Sequence, residues 1–393
     1  MEEIFKATAS IAVLLFGLFL HPASAQSIGK MQLSSVQSAH INTLQEKSPS
    51  AANSQAEDEL RKGTALTRKG LFADAIPHLQ AAYGRVSEEY AAGFNLALCY
   101  VGTNQFDKAI EILKTLHDKA RGSDVENLLA QAYIGNGQEK EALASLEKAA
   151  TITPQNEKLY LLVADACAER EDFVLGLKVI DIGLRNLLQS ARLHYQRAVF
   201  LSQLDQFDYA KADFELASKF GQGNDIGYVA AAHEALLDGD ITNAVKIAHD
   251  GVSNGFDNPI LLTILGEALV RSGVAPSESG FNEAQSALEK AVNERPNDAT
   301  AQIALGQIYL AGGHLDDAIE HLEKARQMQP SQPSIYANLA KAYQRRGDSL
   351  RAQQAFAVLE KLNAAQAERI RSAPGDRKMS YGGGSQDNPP NHR

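Results

Sequence analysis

The 393-residue sequence predicts an all-α fold, an α-α superhelix (solenoid) of about nine helix-turn-helix repeats. Three observations predict it. Small residues recur at a nearly constant interval, the apolar residues between them follow the period of amphipathic helices, and glycine or proline interrupts that period within each interval. A chain organised in this way grows by adding repeats and needs no single large core.

Residues 299–332 show the unit most clearly. Apolar residues at helical spacing fill its first half until Gly313 ends the first helix. The helical period resumes around Asp316, an acidic residue that suits a helix N-terminus, and Pro330 ends the unit. Neither short helix can bury its apolar face alone, so we expect the two to pack against each other and against neighbouring units.

This spacing of small and large residues resembles the tetratricopeptide repeat. The residues that carry the resemblance in this unit are Leu305, Gly306, Tyr309, Gly313, Ala318, Leu322, Ala325 and Pro330. Gln302 stands at the family's opening Trp position, and the whole chain contains no Trp. The resemblance implies a right-handed superhelix whose first helices line a concave groove.

The repeat interval is measured by the small residue that opens each second helix. Successive positions are 33 or 34 residues apart, except for one step of 40, and they are Ala75, Ala109, Ala142, Gly176, Ala210, Ala244, Ala284, Ala318 and Ala352. We therefore predict a solenoid over residues 56–362, with repeats that start near residues 56, 90, 123, 157, 191, 225, 259, 299 and 333.

The long step comes from an insertion at residues 274–280 in the seventh repeat. Insertions of this kind map to loops on one edge of a solenoid, where they often contribute to function. A tolerated surface loop is the other interpretation, because added loop length costs little entropy. The sequence leaves both open.

Residues 1–25 are predicted to form a signal peptide. An apolar run over residues 7–20 is followed by Ala-Ser-Ala at residues 23–25, so cleavage is expected before Gln26. An uncleaved anchor is the alternative. The signal implies export, to the periplasm or beyond if the cell is bacterial, and no membrane span is expected once the signal is removed.

The segments on either side of the solenoid are polar. Residues 26–55 are expected to be a flexible leader, or a segment that folds back to cap the first repeat or to occupy the groove. Residues 363–373 are expected to form a C-terminal capping helix with a polar outer face, and residues 374–393, rich in Gly and Pro, a disordered tail.

The charge of the chain restricts the class of partner that it is expected to bind. The chain carries 38 basic and 48 acidic residues, a net charge of −10, so it should repel phosphate backbones and nucleic acid is not expected as a partner. Cys99 and Cys167 fall in first helices of repeats that are not adjacent, too far apart for a disulfide, and we interpret both as packing residues.

Motifs of catalysis or cofactor binding are incomplete. His233-Glu234 begins like a zinc-protease helix, but Leu237 stands where the second His ligand belongs. The glycine-rich run 221–227 has no Lys and follows a helix, so it does not fit a phosphate loop. No catalytic, cofactor-binding or metal-binding residue is predicted, and we expect the protein not to be an enzyme.

The resemblance implies instead that chosen positions of each first helix face the groove. The candidate partner-binding residues of this concave face are Phe94, Leu98, Asn127, Gln131, Asp165, Glu169, Arg192, Tyr195, Val229, His233, Glu267 and Arg271. This mixture of apolar and polar side chains suits an extended peptide or a helix. Packing between neighbouring helices is an equal explanation for Phe94, Leu98 and Leu237.

The functional expectation is a non-enzymatic, exported scaffold or adaptor. It would bind a peptide segment or partner protein in its groove and support assembly of an envelope or secreted complex. Self-association of a structural envelope protein is the alternative, and an accessory module of a cell-wall enzyme system ranks third. The sequence does not identify the partner.

Overall fold

The computed structural model describes residues 51–119 and 122–372, and all regular secondary structure within them is α-helix. Eighteen helices in this part of the chain form nine consecutive pairs: α1 Ala51–Arg68, α2 Phe72–Ala82, α3 Glu89–Gly102, α4 Phe106–Lys119, α5 Ser123–Gly135, α6 Glu139–Ile152, α7 Glu157–Glu169, α8 Phe173–Asn186, α9 Ala191–Gln203, α10 Phe207–Phe220, α11 Asp225–Leu237, α12 Ile241–Ser253, α13 Pro259–Ser272, α14 Ser279–Glu294, α15 Ala299–Gly312, α16 Leu315–Met328, α17 Pro333–Arg346 and α18 Ser349–Ser372.

Each helix packs against the next one along the chain, and the first helices of neighbouring pairs also touch, as α5 touches α7 and α13 touches α15. This arrangement confirms the predicted α-α superhelix. A pair can bury its apolar surface only between its neighbours, which is the defining property of a solenoid.

The two ends of the described chain bear on the predicted boundaries. Helix α1 already begins at Ala51, inside the segment predicted as leader, and α18 continues without a break to Ser372. The signal peptide, residues 26–50 and the tail at 374–393 lie outside the described residues, so their assignments stay predictions.

First and second helices are buried differently because their sequences differ. In α3, ten consecutive residues from Ala92 to Val101 are buried, since nearly all of them are apolar or small. In α16, only Ala318, Ile319, Leu322 and Ala325 are buried, on one face of an otherwise charged helix. First helices therefore form the inner layer, and second helices cover it from outside.

Small residues allow the two helices of a pair to approach closely. A methyl group at Gly306 would lie 2.7 Å from Cγ of Leu322, and one at Gly266 would lie 2.3 Å from Cγ of Leu288. Contacts this short do not occur between real carbon atoms, so any larger residue would push the helices apart.

The turn inside each pair needs one residue in the left-handed region of backbone conformation. Gly313 and Gly347 adopt φ of 84° and 85° there, as glycine does readily. Asn104, Glu171 and Asp205 hold the same place with φ of 59°, 56° and 57°. Asn and Asp tolerate this conformation, whereas Glu171 adopts it at a cost of about 1 kcal/mol.

The position where the family carries Trp holds a hydrogen-bonding residue in several repeats. Its side chain reaches a backbone carbonyl six residues earlier, as seen for Tyr160 to Pro154 (2.9 Å), His194 to Leu188 (3.0 Å), Gln302 to Pro296 (2.8 Å) and Tyr336 to Pro330 (2.7 Å). The bond ties the start of a first helix to the turn that precedes it, so a polar link stands where Trp would supply apolar contact.

Two of these residues also bond to the second helix of their own pair. Gln302 contacts His321 at 2.6 Å, and His194 contacts Asp213 at 2.7 Å, each across 19 residues of sequence. Arg197 donates two further bonds to Asp213, of 2.7 and 2.8 Å. Burial acts to raise the pKa of the Asp213 carboxyl, but the bonds from His194 and Arg197 outweigh it and the pKa is lowered.

Both cysteines pack inside first helices, as predicted. Cys99 and Cys167 are fully buried free thiols, and Sγ of Cys99 lies 3.2 Å from the Thr67 hydroxyl. Burial raises the pKa of Cys99 to about 11, so the thiol stays protonated and unreactive near neutral pH.

The insertion in the seventh repeat is shared between a loop and a helix. Helix α13 ends at Ser272, and α14 starts at Ser279, so the last two residues of the segment 274–280 belong to α14. The backbone N–H of Ala275 donates to the Glu278 side chain at 3.2 Å, which orders the loop. Any role of this loop in binding stays a prediction.

Replacing Gly306 by Ala should lower the free energy of unfolding by about 1–3 kcal/mol, because the added methyl group collides with Leu322. The higher helix propensity of Ala, worth about 1 kcal/mol, does not compensate. Thermal unfolding followed by circular dichroism measures the loss. The double variant Gly306→Ala with Leu322→Val should recover part of it, and an unchanged melting temperature in the single variant would contradict the close contact.

Candidate functional site: the concave groove

The groove is defined here as the surface formed by the first helices α3 to α17. The twelve predicted residues all lie on these helices, from α3 to α13. Their exposure differs sharply. Eight are buried, namely Phe94, Leu98, Asn127, Gln131, Tyr195, Val229, His233 and Glu267. Four have side chains that reach solvent, namely Asp165, Glu169, Arg192 and Arg271.

The buried members form the floor of the groove. Phe94, Leu98 and Val229 are at most 3% exposed, as expected for packing between neighbouring first helices. Partner atoms could reach these three side chains only by displacing the neighbours that now cover them. Their contact with a partner stays a prediction.

A polar ladder on α5 ties two repeats together. Gln131 donates from Nε2 to Oδ1 of Asn127 at 2.7 Å, and Asn127 donates from Nδ2 to the carbonyl of Leu159 in α7 at 2.7 Å. Both amide side chains are 1% exposed. Their hydrogen bonds fix the spacing of α5 and α7, because a buried amide without partners would cost free energy.

Helix α7 carries two carboxyl groups one turn apart. Burial raises the pKa of Asp165 to about 6, against the opposing effect of the Arg295 guanidinium. Loss of solvent on the groove side and the charge of Asp165 raise the pKa of Glu169 to about 7, although part of its side chain remains exposed. Ionisation of both carboxyls is therefore disfavoured, mainly by burial and, for Glu169, also by the charge of Asp165.

Helices α9 and α11 are joined by an aromatic cluster. The hydroxyl of Tyr195 lies 3.2 Å from Nδ1 of His233, and both rings pack against Phe214 of α10. Burial, with a smaller effect from Arg271, lowers the pKa of His233 to about 3. His233 is therefore neutral near pH 7 and serves packing and hydrogen bonding.

Helix α13 brings a charged pair into the groove. Arg271 Nη1 lies 3.5 Å from Oε1 of Glu267, one helical turn away. Burial raises the pKa of Glu267 to about 7, which Arg271 only partly offsets. Arg192, by contrast, is exposed on α9 and lies 3.7 Å from Glu157 of α7.

A cavity of about 200 Å³ opens beside this charged pair. Three successive first helices, α13, α15 and α17, supply its walls, and Thr300, Ile303, Gln307 and Ser334 line it together with Glu267 and Arg271. The hydroxyls of Thr300 and Ser334 have no hydrogen-bond partner among the described residues. Their oxygen atoms are themselves buried, so the charged pair supplies the polar groups that are known to face this recess.

The sequence prediction missed the residues of this recess contributed by α15 and α17. Thr300, Ile303 and Gln307 occupy the second, fifth and ninth positions of the eighth repeat, which are positions that face the groove in the family. Extending the same rule beyond the seventh repeat would have found them. Arg295, which acts on Asp165 from the end of α14, has no such signal.

Comparison with known proteins agrees with this geometry. One tetratricopeptide repeat model matches residues 66–132 and 278–323, a second matches 127–156, and a TPR repeat model matches 306–347. The chain contains tetratricopeptide repeats in both regions. The resemblance seen in the sequence is thereby confirmed.

Individual relatives of this tetratricopeptide repeat protein are distant. The TPR repeat-containing protein YpiA of Bacillus subtilis (strain 168) is 24% identical over 252 residues, which cover 64% of this chain and 50% of YpiA. The chain thus spans about half the length of that relative.

Solved structures show similar folds. A tetratricopeptide repeat protein from Parabacteroides merdae ATCC 43184 covers 65% of this chain and 99% of its own, with 15% identity and a TM-score of 0.43. The APC/C hetero-tetramer Cut9-Hcn1 matches with 14% identity, 81% of this chain, 76% of its own and a TM-score of 0.47.

A larger recess of about 530 Å³ lies outside the groove, between α14, α15 and α16. Gln302, at the Trp position of the family, lines it together with Tyr309 and His321, whose rings stack at 5.4 Å. The Tyr309 hydroxyl also donates to Glu289 at 2.8 Å. Four of its polar side chains are thus bonded in two pairs, Tyr309 with Glu289 and His321 with Gln302.

Clusters of metal ligands and membrane-spanning helices were both sought in the described residues. Residues 51–119 and 122–372 contain no group of three or more His, Cys, Asp or Glu side chains that could hold a metal ion. In the same part of the chain, every helix is too short or too polar to cross a bilayer.

Replacing Asp165 by Asn and Glu169 by Gln should stabilise the protein at pH 8 and have little effect at pH 4. A carboxyl whose pKa is raised by folding destabilises the fold only when ionised. The penalty is therefore absent below about pH 4 and complete above about pH 7. We expect a gain of about 1–3 kcal/mol at pH 8, after allowing for solvent around Glu169.

Melting temperatures at the two pH values, followed by circular dichroism, measure this difference. The matched control is Glu141→Gln, at an exposed site on α6, which should behave like the wild type at both pH values. A gain of equal size at pH 4 and pH 8, or a loss at pH 8, would contradict the conclusion that ionisation of Asp165 and Glu169 destabilises the fold.

Proposed function

We propose that this tetratricopeptide repeat protein is an exported, non-enzymatic adaptor that binds a peptide segment or partner protein in its groove. It would thereby support assembly of an envelope or secreted complex. The observation that carries the proposal is the cavity of about 200 Å³ between α13, α15 and α17, which is lined by the charged pair Glu267 and Arg271. Members of the family generally mediate protein–protein interactions.

The groove offers two kinds of contact along its length. Exposed or half-exposed charges occur at Asp165, Glu169 and Arg192, and an enclosed recess occurs at Glu267. Charges near solvent guide association and set register, whereas enclosed recesses give most of the affinity. A segment lying along the inner layer would meet both, which favours a peptide or helix over a compact small molecule.

Export is supported by the apolar run and small residues of the predicted signal at 1–25. Residues 1–25 lie outside the described part of the chain, so export is proposed from the sequence alone.

Self-association is the second candidate. Leu350 and Phe356 are 67% and 46% exposed on α18, the final helix, so an apolar surface is available near one end of the solenoid. Light scattering of the native protein over a range of concentrations distinguishes this candidate, since a strict monomer excludes it. An accessory role in a cell-wall enzyme system has no specific support in the groove.

Reversing two groove charges, in the variant Glu169→Arg with Arg192→Glu, should reduce recovery of the native partner at least tenfold. Both side chains are exposed on first helices, so the fold should tolerate the change while the charge pattern met by a partner is inverted. Affinity purification from the native compartment, with quantitative mass spectrometry, measures recovery.

The matched control is Glu141→Arg with Lys246→Glu, two exposed residues on the second helices α6 and α12. It makes the same two reversals outside the groove and should leave recovery unchanged. If both variants retain the partner, or if both lose it, the groove is not the binding surface.

The mature protein should begin at Gln26 and should be recovered from an exported fraction. The small residues at 23–25 place the cleavage site there. Cell fractionation followed by N-terminal sequencing measures both the compartment and the first residue. An intact Met1 in the cytoplasmic fraction would refute the exported role while leaving the groove proposal standing.

A further inference from the structure

A cluster of four ionisable side chains joins the fourth repeat to the fifth. Arg197 of α9 donates to Asp213 of α10 at 2.7 and 2.8 Å, and to Asp181 of α8 at 3.2 Å. Nδ1 of His194, one turn earlier on α9, lies 2.7 Å from Oδ1 of Asp213. His194 and Asp213 are only 6% and 4% exposed, so protein atoms must satisfy their hydrogen-bonding groups.

Both ring nitrogens of His194 face atoms that only accept hydrogen bonds. Nδ1 faces the Asp213 carboxyl, and Nε2 lies 3.0 Å from the backbone carbonyl oxygen of Leu188 in the α8–α9 turn. Against the effect of burial, the bonds from His194 and Arg197 lower the pKa of Asp213, so this carboxyl is ionised near neutral pH and has no hydrogen to donate. Each of the two bonds therefore needs a hydrogen on the histidine nitrogen.

A neutral imidazole cannot make both bonds of His194. It carries one N–H and one nitrogen lone pair, whereas imidazolium carries two N–H groups. Loss of either hydrogen would leave a lone pair opposite an acceptor oxygen, at 2.7 Å from Asp213 or at 3.0 Å from the carbonyl of Leu188. The geometry around this side chain is thus specific for the protonated form.

The charges of the cluster balance only when His194 is protonated. Protonated His194 and Arg197 supply two positive charges, and they are paired with two carboxylates. These carboxylates belong to Asp213 of α10 and Asp181 of α8. The ring of Phe220 lies 5.4 Å from the imidazole ring and helps to exclude water from it. Removing the proton would leave one unbalanced negative charge beside a buried carboxylate, which is costly.

Three other repeats make the same bond with a donor that stays neutral. The hydroxyls of Tyr160 and Tyr336 and the side-chain amide of Gln302 each donate to the backbone carbonyl six residues earlier. These groups keep their hydrogens throughout the pH range in which histidine ordinarily titrates. Gln302 stands at the position of the eighth repeat that is equivalent to His194 in the fifth. Among these four repeats, only the fifth needs a titratable proton for the bond.

We propose that His194 is a proton-dependent tie, which holds the α8–α9 turn to the fifth repeat while its imidazole carries both hydrogens and releases the turn when one is lost. The turn leads directly into α9, one of the helices that form the groove. The stability that the tie contributes is present at acidic pH and is lost as the pH rises and the imidazole deprotonates. This inference concerns the fold and does not depend on what the groove binds.

NMR of the full-length protein labelled with ¹⁵N at histidine reports the protonation directly. Long-range ¹H–¹⁵N spectra distinguish imidazolium from the two neutral tautomers, and the variant His194→Gln assigns the signals of His194 by their disappearance. At pH 6 both ring nitrogens of His194 should carry hydrogen. His233 is the control in the same spectrum, because burial, with a smaller effect from Arg271, lowers its pKa to about 3 and keeps it neutral.

Hydrogen exchange followed by mass spectrometry measures the tie itself. The backbone N–H groups of His194 and Gln302 make equivalent hydrogen bonds, of 3.1 and 3.0 Å, in the first turns of α9 and α15. Between pH 6 and pH 9, and after correction for the intrinsic pH dependence of exchange, the protection of peptide 190–197 should fall about tenfold more than that of peptide 298–305. A loss of this size is expected when a hydrogen bond to a charged group is broken.

A triple variant supplies the matched control. His194→Gln, Arg197→Leu and Asp213→His copy the residues at the equivalent positions of the eighth repeat. Its bond to the carbonyl of Leu188 needs no titratable proton, so the two peptides should lose protection equally between pH 6 and pH 9. Ionisation of the groove carboxyls affects the wild type and the variant alike.

Two outcomes would overturn the inference. A hydrogen on only one ring nitrogen of His194 at pH 6 would mean that one of its two bonds is not made. Equal loss of protection by the two peptides of the wild-type protein would mean that the tie does not depend on the proton, and this comparison decides the matter even if the triple variant does not fold. Neither outcome bears on partner recovery by the charge-reversed groove variant, so the two proposals can fail separately.

Discussion

The close approach of first and second helices is the constraint on which the structure depends. At Gly306 and Leu322, the helices are near enough that one methyl group would not fit, and Gly266 and Leu288 repeat that contact in the preceding unit. Such contacts set the thickness of a unit, and the thickness sets how the next unit stacks. The groove is therefore a consequence of packing, and its recesses occur where three first helices meet imperfectly.

The loss of Trp from the repeat changes what secures each first helix. The side chains of Tyr160, Gln302 and Tyr336 each donate a hydrogen bond to the carbonyl six residues earlier. A directional bond therefore replaces the apolar contact that Trp would supply. In the fifth repeat, the buried carboxylate of Asp213 joins the same system through His194 and Arg197. Polar links of this kind specify geometry strongly, because breaking one leaves a buried group without a partner.

The sequence predicted the helical units well, because small residues at constant spacing have one physical explanation. It assigned the candidate groove to the first helices, but it could not rank the residues on them. Tyr195 and Arg192 lie three residues apart on α9, yet one is 3% exposed and the other reaches solvent, since exposure depends on how tightly the superhelix closes. The electrostatic effect of Arg295 on Asp165 is likewise invisible in sequence, because the two residues are 130 positions apart in the chain.

Helices α7 and α13 of the groove handle buried charge in different ways. On α7, Asp165 and Glu169 face each other's charge with only distant help from Arg295, and their ionisation destabilises the fold. On α13, Glu267 has Arg271 beside it, yet burial still raises the pKa of Glu267 to about 7. Packing needs neither arrangement, since apolar residues at the same positions would be cheaper to bury. A partner segment that lies along the groove and places hydrogen-bond donors opposite Asp165 and Glu169 would lower the cost of ionising them.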